Sequence, residues 1–239
     1  LNWFVGSVTG VHDETPAART IALDVAGWPG HVAGQHVDVR LTADDGYAAV
    51  RSYSIASAPD AKRVELTVVQ IPQGEVSPYL TQNVAIGDPL EIRGPIGGWF
   101  VWRPTQNEHV QLLAGGSGLV PLMAMIRARA AAGSNAPFRL LYSLRNPESA
   151  LYAAELQQRS KEVPVTYAYT REVPQGWPDP ARHVDMATIE KATWPPSLHP
   201  MCYVCGPTAF VESAADLLRS AGHSEANIKT ERFGPSGGS

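Results

Sequence analysis

The spacing of apolar positions changes partway along the chain. In the first hundred residues they come in short runs rich in β-branched and aromatic side chains: Trp3–Val11, Thr20–Val25, His36–Thr42, Val50–Ile55 and Arg63–Gln70. Gly, Pro, Asp and Asn punctuate these runs, as turns between strands require. Leu90–Arg93 adds a sixth. Six short strands at this spacing predict a small antiparallel β-barrel. One short helix is expected over Ser77–Gln82, with Ser77 as N-cap and Pro78 at the first helical position.

Residues 103–109 are polar and mark a linker, after which the period lengthens. Strand Val110–Ala114 precedes a helix to about Ala132, and strand Phe138–Ser143 precedes a helix near Tyr152–Ser160. Strand Val165–Tyr169 leads through a Pro- and Gly-containing loop to a helix near Asp185–Ala192. Strand Met201–Cys205 leads to a helix over Thr208–Ala221, and Ile228–Thr230 is a candidate last strand. Strand alternating with helix predicts a doubly wound parallel sheet. The expected domains are therefore a β-barrel over 1–104 and an α/β domain over 105–239. A length of 239 residues suits two domains, each able to bury a core.

The second domain opens on a glycine-rich turn, Ala114-Gly115-Gly116-Ser117-Gly118, followed by Leu119, Leu122, Met123 and Ile126 at helical spacing. A strand, a tight turn and a helix aim backbone N–H groups and the helix's positive end at one point, which suits a phosphate. Glycines there permit close approach of a ligand and positive φ. The pattern is Gly-x-Gly-x-x-Pro, and no Lys-Ser/Thr follows, so it is not a nucleoside-triphosphatase loop.

Composition narrows the function classes. The net charge is −4. It falls entirely before residue 105, where 7 Lys/Arg face 11 Asp/Glu, while the remainder is balanced at 12 against 12. No basic face for nucleic acid is implied. No apolar run approaches the ~20 residues of a membrane span, and the first residues lack a signal-peptide pattern. Two cysteines, Cys202 and Cys205, are too few for a disulfide scaffold and fit a reducing cytoplasm. They are also too few for a zinc or iron–sulfur site. Residues three apart on a strand face opposite sides, so Cys202 is expected in the core, with Cys205 at the end where such sheets bind ligands. The histidines show no paired metal spacing, and His31 and His36 are expected on the surface or in loops.

Several short motifs carry chemistry. Arg51, Tyr53 and Ser54 fall at a strand end, where they can hold a phosphate, a planar ring and a heteroatom of one ligand, although an edge strand with a solvated Arg satisfies the same residues. Gly74-Glu75-Val76-Ser77 leads into the short helix with backbone N–H groups that suit a diphosphate. Gly94-Pro95-Ile96-Gly97-Gly98-Trp99-Phe100 reads as a rigid turn ending in an aromatic pair suited to packing between domains. At the end of the second α/β strand, Ser143 and Arg145 stand where an NAD site carries an acid, and no acid occurs until Glu148. A hydroxyl and a guanidinium suit a 2′-phosphate, with Arg171 as a further candidate.

Taken in order, Arg51-x-Tyr53-Ser54, Gly74-x-x-Ser77, Gly94-Pro95-x-Gly97, Gly116-Ser117-Gly118 and Cys205-Gly206-Pro207 resemble the ferredoxin–NADP reductase family over nearly the whole chain. The family more often has Thr where this chain has Ser117, and the hydroxyl is kept. The resemblance implies a flavin-binding barrel and a nicotinamide-nucleotide-binding α/β domain. It implies that Tyr53 lies against the isoalloxazine, Arg51 binds the flavin phosphate and Ser54 sits near N5. Gly74, Glu75, Val76 and Ser77 would hold the diphosphate, which favours FAD over FMN. Gly116, Ser117, Gly118, Cys205, Gly206 and Pro207 would meet the nicotinamide nucleotide, with Cys205 near its C4 position. Phe233 resembles the C-terminal aromatic that covers the flavin, and Glu231 would serve proton traffic.

The implied activity is an FAD-dependent NAD(P)H oxidoreductase that passes hydride to flavin and electrons to a separate acceptor. Ferredoxin, an oxygenase, a molybdenum enzyme and a haem protein are the acceptor classes, and the reverse direction is equally allowed. NADP is the expected nucleotide, with NAD also open. The alternatives are a reductase of free flavin or small molecules, and a nucleotide-binding regulatory subunit with little catalysis.

Overall fold

The computed structural model describes residues 2–43 and 45–233. The chain divides into two compact units: Leu1–Arg103 with Met123–Ala131, and Pro104–Leu122 with Ala132–Ser239.

The first unit is a six-stranded antiparallel sheet built from β1 (Trp3–Thr15), β2 (Ala18–Val25), β3 (His36–Thr42), β4 (Ala48–Ser54), β5 (Arg63–Val69) and β6 (Pro89–Ile96), in the order β4-β3-β6-β1-β2-β5. A bridge between Ile55 and Leu66 links the two ends of that order, closing the sheet into a barrel. Alternate residues point inward, and Val8, Ile21, Leu23, Val37, Val39, Leu66 and Ile92 fill the interior. Helix α1 (Ser77–Gln82) sets Leu80 into the same core.

Three expectations change here. The N-cap of α1 is Val76 rather than Ser77. Ser77 is the first helical residue, and its Oγ accepts the Ile71 N–H at 3.0 Å, closing the preceding loop instead of capping the helix. The aromatic pair after β6 separates: Phe100 is buried, while Trp99 is 65% exposed. His31 lies in a loop, as expected, but is buried there between the Trp28 indole N–H at 3.3 Å and the Ser57 carbonyl at 3.3 Å, whereas His36 lies in neither a loop nor the exposed surface but opens β3, half-buried.

The second unit is a parallel sheet of β7 (Val110–Gly115), β8 (Phe138–Leu144), β9 (Val165–Tyr169), β10 (Met201–Pro207) and β11 (Ile228–Phe233), in the order β11-β10-β7-β8-β9. Helices α2 (Leu119–Ala131), α3 (Ala153–Gln158), α4 (Met186–Ala192) and α5 (Thr208–Ser220) lie between the strands in sequence. The apolar stripe of α5 (Val211, Ala214, Ala215, Leu218) packs with Leu113, Leu141, Cys202 and Val204 of the sheet. Cys202 is thus a core residue. The first two turns of helix α2 are apolar all round, with Val120, Ala124 and Met125 buried beside Leu119, Leu122, Met123 and Ile126, before Arg127 and Arg129 interrupt the pattern.

Candidate functional site

In the barrel unit, strand β4 presents Arg51, Tyr53 and Ser54. Tyr53 packs partly against the barrel core, and burial pushes its phenol up to about 12. It therefore stays neutral, a flat amphipathic surface rather than an acid. Ser54 is buried, and its Oγ has no hydrogen-bond partner among the described residues. A buried hydroxyl left unmatched costs free energy, so such a group in a folded protein calls for a partner.

Arg51 is one-third exposed. Its Nη2 donates to Glu75 Oε2 at 2.8 Å and its Nη1 to the Val50 carbonyl at 2.8 Å. The fold thus brings Arg51 and the loop Gly74–Ser77 together. Gly74 N–H donates to the Ile71 carbonyl at 3.0 Å, which leaves the N–H groups of Glu75 and Val76 without a hydrogen bond among the described residues. A Cβ at Gly74 would stand 3.0 Å from Ser77 Oγ and 3.1 Å from the Ile71 carbonyl, so any larger residue would have to push these neighbours back by a few tenths of an ångström. An orphaned buried hydroxyl, a guanidinium and two donor amides on adjoining segments fit the ring and phosphates of a flavin nucleotide. Tyr47, which sequence reasoning missed, joins them: its hydroxyl donates to Glu75 Oε1 at 3.1 Å. Its one signal is a large aromatic residue, 58% exposed, just before a strand.

In the α/β unit the chain leaves β7 toward β8 on one side, and β10 lies on the other side of β7. This is the switch point at which loops diverge and ligands bind. The turn Gly116–Gly118 is a 3₁₀ turn with Gly116 at φ +52°, so positive φ is required there. A Cβ on Gly118 would fall 2.0 Å from the Cys205 carbonyl oxygen, so the chain's own packing already demands glycine there. Gly206, at φ +153°, would likewise place a Cβ 2.9 Å from the Gly115 carbonyl. The ends of β7 and β10 are therefore in backbone contact.

Register carries the remaining residues to the same edge of the sheet. Gly115 pairs with Ser143, Cys205 with Glu231 and Pro207 with Phe233. The Cys205 thiol is fully buried, and burial, with Glu231 next to it, holds it well above its ordinary value. It therefore stays a neutral thiol. Burial also raises the Glu231 carboxyl to about 7, which poises it to carry a proton near neutral pH. Phe233 is the last described residue, and the tail beyond it lies outside the described residues.

Just past β8 and β9, Arg171 N–H and Glu172 N–H both donate to the Arg145 carbonyl at 3.0 Å. The two arginines thus leave adjacent backbone segments. Both are exposed, and neither has an acidic partner among the described residues. Two grooves of about 410 and 450 Å³ lie elsewhere on this unit and are lined by none of the predicted site residues.

Residues 22–101 match the family model of the oxidoreductase FAD-binding domain, and residues 112–216 match that of the oxidoreductase NAD-binding domain. The chain belongs to the FAD-dependent NAD(P)H oxidoreductases with the ferredoxin–NADP reductase fold. Among its relatives it is 32% identical to NADH-cytochrome b5 reductase 1 of Aspergillus oryzae over 213 residues, covering 85% of this chain and 71% of that one. It is 29% identical to the glycine betaine monooxygenase reductase subunit of Chromohalobacter salexigens, covering 84% of this chain but only 55% of that subunit. The fold matches the flavohem-like FAD/NAD-binding domain of a Vibrio cholerae nitric oxide dioxygenase with a TM-score of 0.85, at 22% identity, covering 97% of this chain and 99% of that one. It also matches an Amycolatopsis cytochrome P450 reductase with a TM-score of 0.83, at 25% identity, covering 99% and 71%. No helix among the described residues is long and apolar enough to cross a membrane.

Proposed function

We propose that this protein takes hydride from NAD(P)H onto FAD and delivers electrons to a separate protein acceptor. The observation that carries the reading is the buried, unpartnered Ser54 hydroxyl on the strand that also holds Arg51 and Tyr53. Bound FAD supplies the conversion of a two-electron donor into single-electron steps. In this reading Tyr53 gives the flavin ring an apolar face, and Arg51 neutralises a phosphate. Gly74, Glu75, Val76 and Ser77 line the diphosphate. The Ser54 hydroxyl donates toward the ring position that receives hydride.

On the α/β unit, Gly116, Ser117 and Gly118 meet the nucleotide diphosphate, and Cys205, Gly206 and Pro207 bound the nicotinamide. Glu231 holds an exchangeable proton, and Phe233 is the aromatic cover. Ser143, Arg145 and Arg171 receive a 2′-phosphate, so NADPH is the preferred donor. That preference is where this chain would part from the relatives named as NADH reductases. The same relatives, named for cytochrome b5 and for a monooxygenase, support an acceptor on a separate protein of haem or oxygenase type. A cytoplasmic location belongs to the same reading, supported by the two free cysteines.

Ser54→Ala tests the reading. Loss of a hydroxyl that acts in the reaction should slow flavin reduction in stopped flow by about 10–100-fold, while FAD affinity changes little. An unchanged reduction rate would reject the role of Ser54 and remove the observation on which the reading stands.

A further inference from the structure

Glu75 enters the site above through its backbone, yet its side chain is the best-held group in the loop. Both carboxylate oxygens are taken: Oε2 by Arg51 Nη2 at 2.8 Å and Oε1 by the Tyr47 hydroxyl at 3.1 Å. Two donors converging on two oxygens of one anion is the arrangement a phosphoryl group asks for. The loop does not depend on this contact for its shape. Gly74 N–H to the Ile71 carbonyl and Ile71 N–H to Ser77 Oγ, each at 3.0 Å, close it independently. The Glu75 side chain is half exposed, with room to swing into solvent.

We propose that Glu75 is a built-in stand-in for phosphate, which occupies the Arg51–Tyr47 donor pair and must be displaced for the flavin phosphate to bind. The proposal rests on the flavin reading above. A carboxylate that stayed in place would put like charge beside a diphosphate, and one that leaves gives up an ion pair. Either way Glu75 weakens flavin binding and sets its affinity below what Arg51 alone would give. The pair is solvent-exposed and screened, so the effect is modest, about three- to tenfold in dissociation constant. It acts on the phosphate and not on the ring. Flavins with a phosphate are therefore penalised, and riboflavin is not.

The test uses the full chain stripped of flavin, as wild type and as Glu75→Gln. Each is titrated with FAD, FMN and riboflavin, and binding is followed by flavin fluorescence. FAD and FMN should bind the variant about three- to tenfold more tightly, with riboflavin unchanged, and the gain should shrink as salt is raised. If wild type binds FAD and the variant binds it equally or less tightly, the stand-in role is wrong while the flavin reading stands. Equal tightening of riboflavin would also overturn the role, because the effect would not be at the phosphate. If neither protein binds any flavin, the reading beneath the proposal fails as well.

Discussion

In the barrel unit the guanidinium at the proposed phosphate position is already engaged, by a carboxylate from the next loop and a phenol that shares it. In the α/β unit the two candidate guanidiniums, Arg145 and Arg171, have no acidic partner among the described residues, and the glycine turn is shaped by backbone meeting backbone. In the proposed reading, one unit tunes anion binding with charge that must be rearranged; the other fixes the geometry of its turn through packing and leaves its charges open. Affinity in the barrel should therefore respond to side-chain substitutions at the surface. The α/β turn should respond to the smallest change in bulk.

The sharpest contrast lies within that turn. Gly118→Ala puts a methyl group 2.0 Å from the Cys205 carbonyl oxygen, and a backbone carbonyl cannot step aside cheaply. A loss of about 3 kcal/mol or more is expected, or about 6–12 °C in Tm by calorimetry. Gly116→Ala meets nothing within 4 Å and bears only the cost of φ +52°, about 1–2 kcal/mol. Equal losses at the two positions would break the packing account.

Glu231 offers a second, pH-dependent break. Its folded value of about 7 lies above the ordinary 4.5, so between these values the folded state binds more protons than the unfolded chain. Stability then falls as pH rises through this window, by on the order of 3 kcal/mol once both states are ionised. Below about pH 4.5 the effect vanishes, because both states are protonated. Glu231→Gln should flatten the slope in denaturant titrations at pH 5 and pH 8.

In the barrel, Arg51→Ala removes a charge-assisted contact and should weaken FAD about 10–100-fold in fluorescence titration. The smallest effect is specific to one nucleotide. Arg145→Ala should raise the KM for NADPH about tenfold and leave that for NADH unchanged. Equal effects on both would remove the 2′-phosphate role and, with it, the open-charge half of the comparison.

The change of period that separated barrel from α/β sheet was readable along the chain because it is a local pattern. The strand cores of β3, β5 and β9 follow from it directly. The far half of β1 was not readable. His12, Asp13 and Glu14 carry no hydrophobic alternation, and the hairpin is held there by pairing such as Asp13 with Arg19 at 2.7 Å. The ordered motifs led to the candidate site residues, yet the packing that demands glycine at 118 lies on β10, which the sequence places far away. Arg51 and Glu75 stand 24 positions apart, and nothing in either local pattern announces their contact. Spacing reveals which residues share a face; it does not reveal which charge another charge will meet.

The most direct test of the account is an anaerobic visible titration of the purified, FAD-loaded protein with NADPH and, separately, with NADH. Flavin bands that bleach with stoichiometric NADPH, and only at much higher NADH, are the expected result. Flavin that is bound but bleached by neither nucleotide would contradict hydride transfer to this flavin. A protein that remains colourless after incubation with FAD would contradict the assignment of Arg51, Tyr53 and Ser54 altogether.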